Sequence, residues 1–320
     1  MNDLVTIVIL TYNSEVFIEE TLNSAKLQTY KNIDLIVSDD ASIDNTVDIC
    51  QKWMSKNKDH FTDMRLITVP KNTGIPANYN RGVLAAKSDW VKFISGDDAL
   101  LPNCISDNVA YILKHPLVKV LYSYNRVYLN EFKEENYLEL NPKCSPLNII
   151  NDKISAQEQY KLLLISDRIA FTPSRFLSKR ALLDVGLPDE DLYSEDYQMK
   201  LGFTRKGYKL YFMESETTLY RQHDMAANNT VKEYILKPHH FKTESFRVKC
   251  IYPNIPLDFR LSQKYSWIVN QIFKINYFNT KNKRNYLIYY LLNNVLNPFK
   301  YIIYFKSHFL SSYKNNIFYK

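Results

Sequence analysis

The chain has 320 residues, a mass of 37.8 kDa, 46% hydrophobic and 23% charged residues, and a formal charge of +7. That composition can bury one large core or two ordinary ones and excludes wholesale disorder, while only 6 glycines exclude a collagen-like or glycine-rich chain. Four widely separated cysteines (Cys50, Cys104, Cys144, Cys250), with no CxxC pair, suggest neither a zinc site nor a disulfide scaffold and read as reduced thiols of a cytosolic protein.

The amino end, MNDLVTIVIL, has no basic segment before its apolar run and no small-residue cleavage site after it, so no signal peptide is expected. Residues 4–10 form a β-branched apolar run, a buried strand ending at Thr11-Tyr12-Asn13. Asn13 or Ser14 can cap a following helix, with Glu15 in its first turn and Phe17, Ile18, Leu22 and Ala25 on one face. A second strand, Asp34–Ser38, closes at Asp39-Asp40, and Asp44 caps a helix running to about Lys56. A third strand (Met64–Val69), a helix (Asn78–Lys87) and a fourth strand (Trp90–Ser95) follow, the last ending at Gly96-Asp97-Asp98. Pro102 stands near the start of the next helix.

This alternation predicts βαβ units and a mostly parallel sheet, whose ligands bind outside the carboxyl ends of the strands. Polar residues collect at those ends, where a crevice is expected.

Beyond Pro116 the pattern predicts a strand at Val118–Leu129, an irregular polar stretch at 130–155, a helix at Ala156–Ser166 and an extended segment at Phe171–Leu177. A helix around Lys179–Val185 precedes Ser194-Glu195-Asp196, which opens a helix to Lys206 that Gly207 ends. Strands are expected at Tyr208–Met213 and Thr218–His223, and helices from about Val231 onward.

Four constellations carry possible chemistry. Asp39-Asp40 can accept hydrogen bonds from a base imide or a ribose, or simply shape a loop. Asp97-Asp98, directly after a buried strand, offers hard oxygen ligands for Mg²⁺ or Mn²⁺, or a solvated turn. Glu195-Asp196 can cap a helix or take a proton from an acceptor hydroxyl. Arg221 and His223 are two apart in an extended segment, so they face the same way and suit a diphosphate and its metal.

The segments TIVILTYNSEVFIEETLNSAKLQTYKNIDLIVSDDASIDNT, NTGIPANYNRGVLAAKSDWVKFISGDDALLP, SEDYQMKLGFTRKGYKLYF and YRQH together resemble family 2 glycosyltransferases over residues 3–225. The resemblance implies a GT-A fold: a Rossmann-like, mostly parallel α/β sheet flanked by helices. A nucleotide-binding half would span about 1–115, an acceptor half about 116–225, and a helical, basic and aromatic region 226–320. It further implies that Thr11, Tyr12, Asn13, Asp39, Asp40, Asn80, Asp97 and Arg221 bind the nucleotide sugar, a UDP-sugar. By the same resemblance Asp98, Asp97 and His223 hold Mn²⁺ or Mg²⁺, with Asp98 the more direct ligand. Asp196, with Glu195 beside it, would be the catalytic base of an inverting hexosyl- or N-acetylhexosaminyl-transfer. The sequence departs from the family pattern at Ser95, where the metal motif often begins with Asp, and at Tyr79, where an Arg commonly precedes Asn80.

The charge is unevenly placed. Residues 259–320 hold ten basic side chains, no Asp or Glu, and 17 of the 45 aromatics, leaving residues 1–258 with 31 basic and 34 acidic groups. Cations and aromatic rings together suit an anionic membrane surface. A helical domain packed on the body and a single-stranded RNA surface are the other readings of this tail; DNA is not expected. The longest charge-free run there, Asn285–Phe299, is fifteen residues and too short to span a bilayer.

The function expected is therefore metal-dependent, inverting transfer of a sugar to a hydroxyl of a glycan or lipid-linked acceptor. Its setting is bacterial surface-polysaccharide synthesis, in the cytoplasm at the inner face of the plasma membrane. Two alternatives are a decayed transferase acting as a binding protein through its tail, and a nucleotidyltransferase. The latter is disfavoured because no glycine-rich basic loop stands near the amino end.

Overall fold

A computed structural model describes residues 3–144, 146, 149–167, 169, 171–192, 195–225, 234–236, 241, 244–313 and 316–319. The chain divides into two compact units, one of residues 1–159 with 168–223 and one of residues 160–167 with 224–320.

The first unit is built on a mixed sheet. Strands β1 (Val5–Thr11), β2 (Ile33–Asp39), β3 (Asp63–Ile67) and β4 (Trp90–Ser95) are parallel, and the sheet order is β3-β2-β1-β4-β8-β6-β9-β5. The remaining strands are β5 (Ala99–Leu100), β6 (Val120–Leu129), β7 (Tyr137–Asn141), β8 (Phe176–Ser178) and β9 (Leu210–Gln222), with β7 pairing on β6. Helices α1 (Ile18–Lys26), α2 (Thr46–Lys56), α3 (Ile75–Ala85) and α4 (Cys104–Lys114) belong to the amino-terminal half. Helices α5 (Ala156–Ile165, passing into the second unit), α6 (Lys179–Val185) and α7 (Glu195–Lys206) belong to the later half.

Strand alternation divides the core into two faces. Ile7, Ile9, Leu35, Val37 and Ile94 join Ile18, Leu22, Cys50, Trp53 and Val109 in one fully apolar cluster. On the other face Phe93 stacks on Tyr79 of α3 with ring centroids 4.2 Å apart. Here α3 approaches β1 so closely that a Cβ on Gly82 would lie 2.5 Å from Val8 Cγ1.

Register then fixes the site. Thr11 stands opposite Asp39, and Leu10 opposite Ser95, so β1, β2 and β4 end level at one sheet edge. Strand β9 runs parallel to β6, and its far end pairs with β5 (Ala99 opposite Leu219), bringing Arg221 and His223 to Asp97 and Asp98.

Several elements differ from the sequence expectation. Helix α1 starts at Ile18 rather than at Asn13 or Ser14, because Asn13 is left-handed (φ +50°) and the Ser14 carbonyl accepts from both Phe17 and Ile18 N–H. The two strands expected at Tyr208–Met213 and Thr218–His223 are one continuous β9, whose pairing with β6 absorbs register shifts around Tyr124. Phe171–Leu177 is not wholly extended: Pro173 sits in a 3₁₀ turn (Thr172–Ser174) before the short antiparallel β8. The irregular stretch after residue 130 contains β7. Ser194 and residues 231–233, used in the sequence reading of two helix starts, lie outside the described residues.

The second unit is helical: α8 (Glu244–Phe246), which continues as a π-helical turn Arg247–Ile251, then α9 (Leu257–Ile272), α10 (Asn276–Asn279), α11 (Lys283–Tyr290) and α12 (Pro298–Phe309). Leu236, Val269 and Phe273 form its core with Tyr265, Phe278, Tyr289 and Leu292 around them. The basic, aromatic tail therefore has a core of its own, and Phe273 is fully buried.

The close α3–β1 approach yields a direct test. Gly82→Ala should lower unfolding free energy by about 1–3 kcal/mol, because Val8 must move to admit one methyl group. The midpoint of urea denaturation measures this.

Candidate active site

The loops after β1 and β2 are locked together. Asn13 Oδ1 accepts the Ile43 N–H at 2.9 Å, and the Asn13 N–H donates to Ser42 Oγ at 2.8 Å. Asn13 and Ala41 both adopt positive φ, +50° and +64°, backbone strain that this cross-linking holds in place. Sequence reasoning puts Thr11 and Asp39 in the pocket lining, but they face inward: Thr11 Oγ1 donates to Asp39 Oδ2 at 2.8 Å, and the same carboxylate accepts the Ser42 N–H and hydroxyl. Tyr12, by contrast, is about half exposed (47%).

Asp40 is buried and meets four donors. Oδ2 accepts the Thr73 and Gly74 N–H groups at 3.0 and 2.7 Å, and Oδ1 accepts the Thr73 hydroxyl at 2.5 Å and Arg81 at 2.8 Å. Burial alone would raise its pKa, but these donors outweigh burial and hold the carboxyl below the ordinary range. Gly74 has φ +92°, a conformation that aims its N–H at Asp40 and that a side chain would resist. Asn80 is also turned inward: its Nδ2 donates to the Pro188 carbonyl and to Glu190, each at 2.9 Å, tying α3 to the segment before α7.

At the end of β4, His223 Nε2 lies 2.9 Å from Asp97 Oδ2. Asp98 points the other way. It is 2% exposed, and Oδ1 accepts the Arg221 N–H at 2.8 Å. Burial, then the neighbouring Asp97, pushes its carboxyl well above the usual range. Asp97, rather than Asp98, is the acid that meets His223. Arg221 departs from expectation too. Its guanidinium is sandwiched between Phe17 (4.5 Å) and Phe132 (3.9 Å), and it donates to the Asp97 carbonyl, the Asn130 carbonyl and Glu20. It shares Phe17 with the His223 ring, as the i, i+2 spacing predicts, but its donors serve the protein rather than a ligand.

Glu195 and Asp196 open α7. Asp196 Oδ1 accepts Arg175 Nη1 at 2.5 Å, and Glu195 Oε1 is 4.0 Å from Nη2. Burial, then the adjacent Asp196, pushes Glu195 up to about 8; at Asp196, burial is outweighed by Arg175 and Lys200 and the carboxyl falls below its usual range. The two neighbouring carboxyls are thus driven apart, Glu195 upward and Asp196 downward. Asp98 has a further cationic neighbour in Lys92, buried in β4. Burial lowers it to about 8, with Arg175 adding to the shift and Asp98 and Cys104 opposing it.

Sequence reasoning missed Arg81, Arg175 and Lys92. Arg81 follows Asn80 immediately and could have been weighed with it. Lys92 lies within the β4 motif segment but carries no signal of its own, Arg175 belongs to no motif, and only the fold brings them to the acids.

Among the described residues no three His, Cys, Asp or Glu side chains converge as a metal cluster. The Asp97–His223 pair supplies one carboxylate and one imidazole, a donor set that suits Mn²⁺ and leaves other positions to oxygen ligands.

A mixed sheet flanked by helices, with acidic pairs at the ends of β2 and β4 and a third pair opening α7, defines a GT-A glycosyltransferase. The model of glycosyl transferase family 2 matches residues 6–185, more than half of the chain, and the protein belongs to that family. It is 28% identical over 263 residues to the Escherichia coli UDP-Glc:alpha-D-GlcNAc-diphosphoundecaprenol beta-1,3-glucosyltransferase WfaP, covering 78% of this chain and 92% of that one. The Staphylococcus aureus poly(ribitol-phosphate) beta-N-acetylglucosaminyltransferase TarS is 26% identical over 177 residues, 54% of this chain and 30% of TarS. Several other curated relatives are matched over less than half of their own length. Two solved structures share the fold, each at a TM-score of 0.53. They are TarS 1–349 with UDP-GlcNAc (18% identity, 83% and 80% of the two chains) and the Pyrobaculum calidifontis mannosyltransferase PcManGT with GDP-Man and Mn²⁺ (14%, 93% and 73%).

Asp40→Asn should lower stability by roughly 2 kcal/mol at neutral pH, since charge-assisted bonds become neutral ones. Because the folded carboxyl titrates below its unfolded value, the wild-type advantage is complete above about pH 4 and fades as pH falls below it. Melting temperatures of the two proteins across that range check the sign.

Proposed function

We propose that this enzyme transfers a sugar from a UDP-sugar to a hydroxyl of a glycan or lipid-linked glycan in bacterial surface-polysaccharide synthesis, with inversion at the anomeric carbon. The observation that carries the reading is the carboxylate of Asp196 at the start of α7, held by Arg175 Nη1 at 2.5 Å beside Glu195. An acceptor hydroxyl is a poor nucleophile until a base removes its proton as the new bond forms, and Asp196 is the base. Attack opposite the leaving diphosphate turns an α-linked donor into a β-linked product. The name of the WfaP relative, a UDP-Glc-dependent beta-1,3-glucosyltransferase acting on a diphosphoundecaprenol acceptor, supports both donor and acceptor class.

Tyr12 supplies an exposed ring for the base, and the Asp40 network with Arg81 and Asn13 holds the loops around it. Asp97 and His223 would hold Mn²⁺ or Mg²⁺, with Asp98 and Arg221 behind them fixing the turn. When bound, the cation would offset charge on the leaving diphosphate as a Lewis acid.

A panel of UDP-, GDP- and dTDP-sugars, scored by nucleotide release with MnCl₂, tests the reading. UDP-sugars should be turned over, EDTA should stop release, and Asp196→Asn should lower kcat by about 10²–10⁴-fold while UDP still raises the melting temperature. Turnover untouched by Asp196→Asn would refute the proposed base.

We also infer that the second unit rests on the anionic inner face of the plasma membrane. No helix among the described residues is long and apolar enough to cross a membrane. Helix α12 buries none of its residues, and Tyr301, Tyr304, Phe305 and Phe309 are all more than half exposed. Rings of this kind sit at headgroup depth, and the surrounding Lys and Arg side chains meet anionic lipid. Replacing Tyr304, Phe305 and Phe309 by Ser should reduce co-sedimentation with phosphatidylglycerol-containing vesicles and leave the melting temperature unchanged. Equal binding of the triple variant would discard the surface.

A further inference from the structure

We propose that Arg175 is the positioning residue of the transfer reaction: its buried guanidinium holds Asp196 in the orientation in which that carboxylate takes the acceptor proton. The inference rests on the reading of Asp196 as base and assigns a role to a residue outside every motif of the sequence.

The geometry is specific. Arg175 is 3% exposed, directly after the turn containing Pro173. The Pro173 carbonyl accepts Lys92 Nζ at 2.6 Å, so the turn is itself anchored to β4. The guanidinium lies 4.9 Å from the Tyr79 ring centroid and 5.7 Å from that of Phe93, aromatic faces that fix its plane. Nη1 then meets Asp196 Oδ1 at 2.5 Å, and Nη2 lies 4.0 Å from Glu195 Oε1, so the planar guanidinium faces both acids. Tyr79 occupies the position where an arginine was expected, and the cation comes from β8's approach instead. Two buried polar atoms of this cluster, Arg175 Nε and the Tyr79 hydroxyl, have no hydrogen-bond partner among the described residues. A role in packing alone would favour an apolar side chain here, since a buried cation is costly unless something needs its charge.

Charge accounting agrees. The groups facing Asp196 are Arg175, Lys200 and Glu195, while Tyr79 from α3 and Tyr122 from β6 face Arg175. Lys200 Nζ donates to the Ile169 carbonyl at 2.8 Å, while Arg175 Nη1 bonds the base directly. Without Arg175, Asp196 would sit beside Glu195 in a buried site and draw a proton, losing its capacity as a base.

The test uses the full chain, UDP-glucose and UDP-N-acetylglucosamine as donors, and MnCl₂, with UDP release followed against pH. Arg175→Gln should lower kcat by about 10²-fold with KM for the donor unchanged. The acid limb of its kcat profile should move up by about 1–3 pH units, while the wild-type profile stays flat to pH 5. Arg175→Lys, which keeps the charge but not the fork, should fall between the two. In an Asp196→Asn background neither substitution should cost anything further, because the pair acts as a unit. If Arg175→Gln does not fold, as judged by its melting curve, Arg175→Lys carries the same comparisons. An unmoved acid limb, or an equal loss of rate with and without Asp196, overturns the role of Arg175 alone. Full activity of Asp196→Asn would instead remove the base on which it rests.

Discussion

A carboxylate taken out of water is costly unless fixed donors or a cation meet it, and one edge of this sheet gathers three acidic pairs. Each pair is served by its own arginine. Arg81 bonds Asp40, Arg221 binds the main chain of Asp97 and presents its own N–H to Asp98, and Arg175 bonds Asp196. Remove these partners and the crevice would either swell open or protonate. The arginines come from α3, the end of β9 and the approach to β8, so the crevice exists only when all three regions have packed.

The same arrangement sorts the acids by task. Asp39, Asp40 and Asp98 are consumed by donors within the protein and shape the loops, and their value lies in rigidity. Asp97 faces His223 and remains a candidate ligand. Arg175 and Lys200 outweigh the burial of Asp196 and draw its carboxyl down, while burial and Asp196 push Glu195 up. Two neighbouring carboxyls with pKa values driven apart is the pattern expected where one of them handles a proton.

Local pattern made the amino-terminal half readable. Strand β4 runs over the residues expected, and α6 and α7 span Lys179–Val185 and Glu195–Lys206, because apolar runs, a Ser178 cap and Gly207 at φ +98° are local signals. Reading failed where distant pairing overrides local preference: β8 is three residues long and gains its identity from β4 and β6, and β9 is continuous because β6 runs beside it. The site divides the same way. The acidic pairs and His223 were visible as residues after strand ends, whereas Arg81, Arg175 and Lys92 carry no signature, since their meaning lies in partners tens of residues away.

By itself the sequence determined the alternation of strands and helices, the family, and which acids stand at strand ends, because hydrophobic periodicity and short motifs are written in adjacent residues. Only the tertiary structure decided which of those acids turn inward and which face the crevice. That choice depends on where three arginines and a buried lysine arrive, and charge compensation in a dry interior is a property of three-dimensional neighbours.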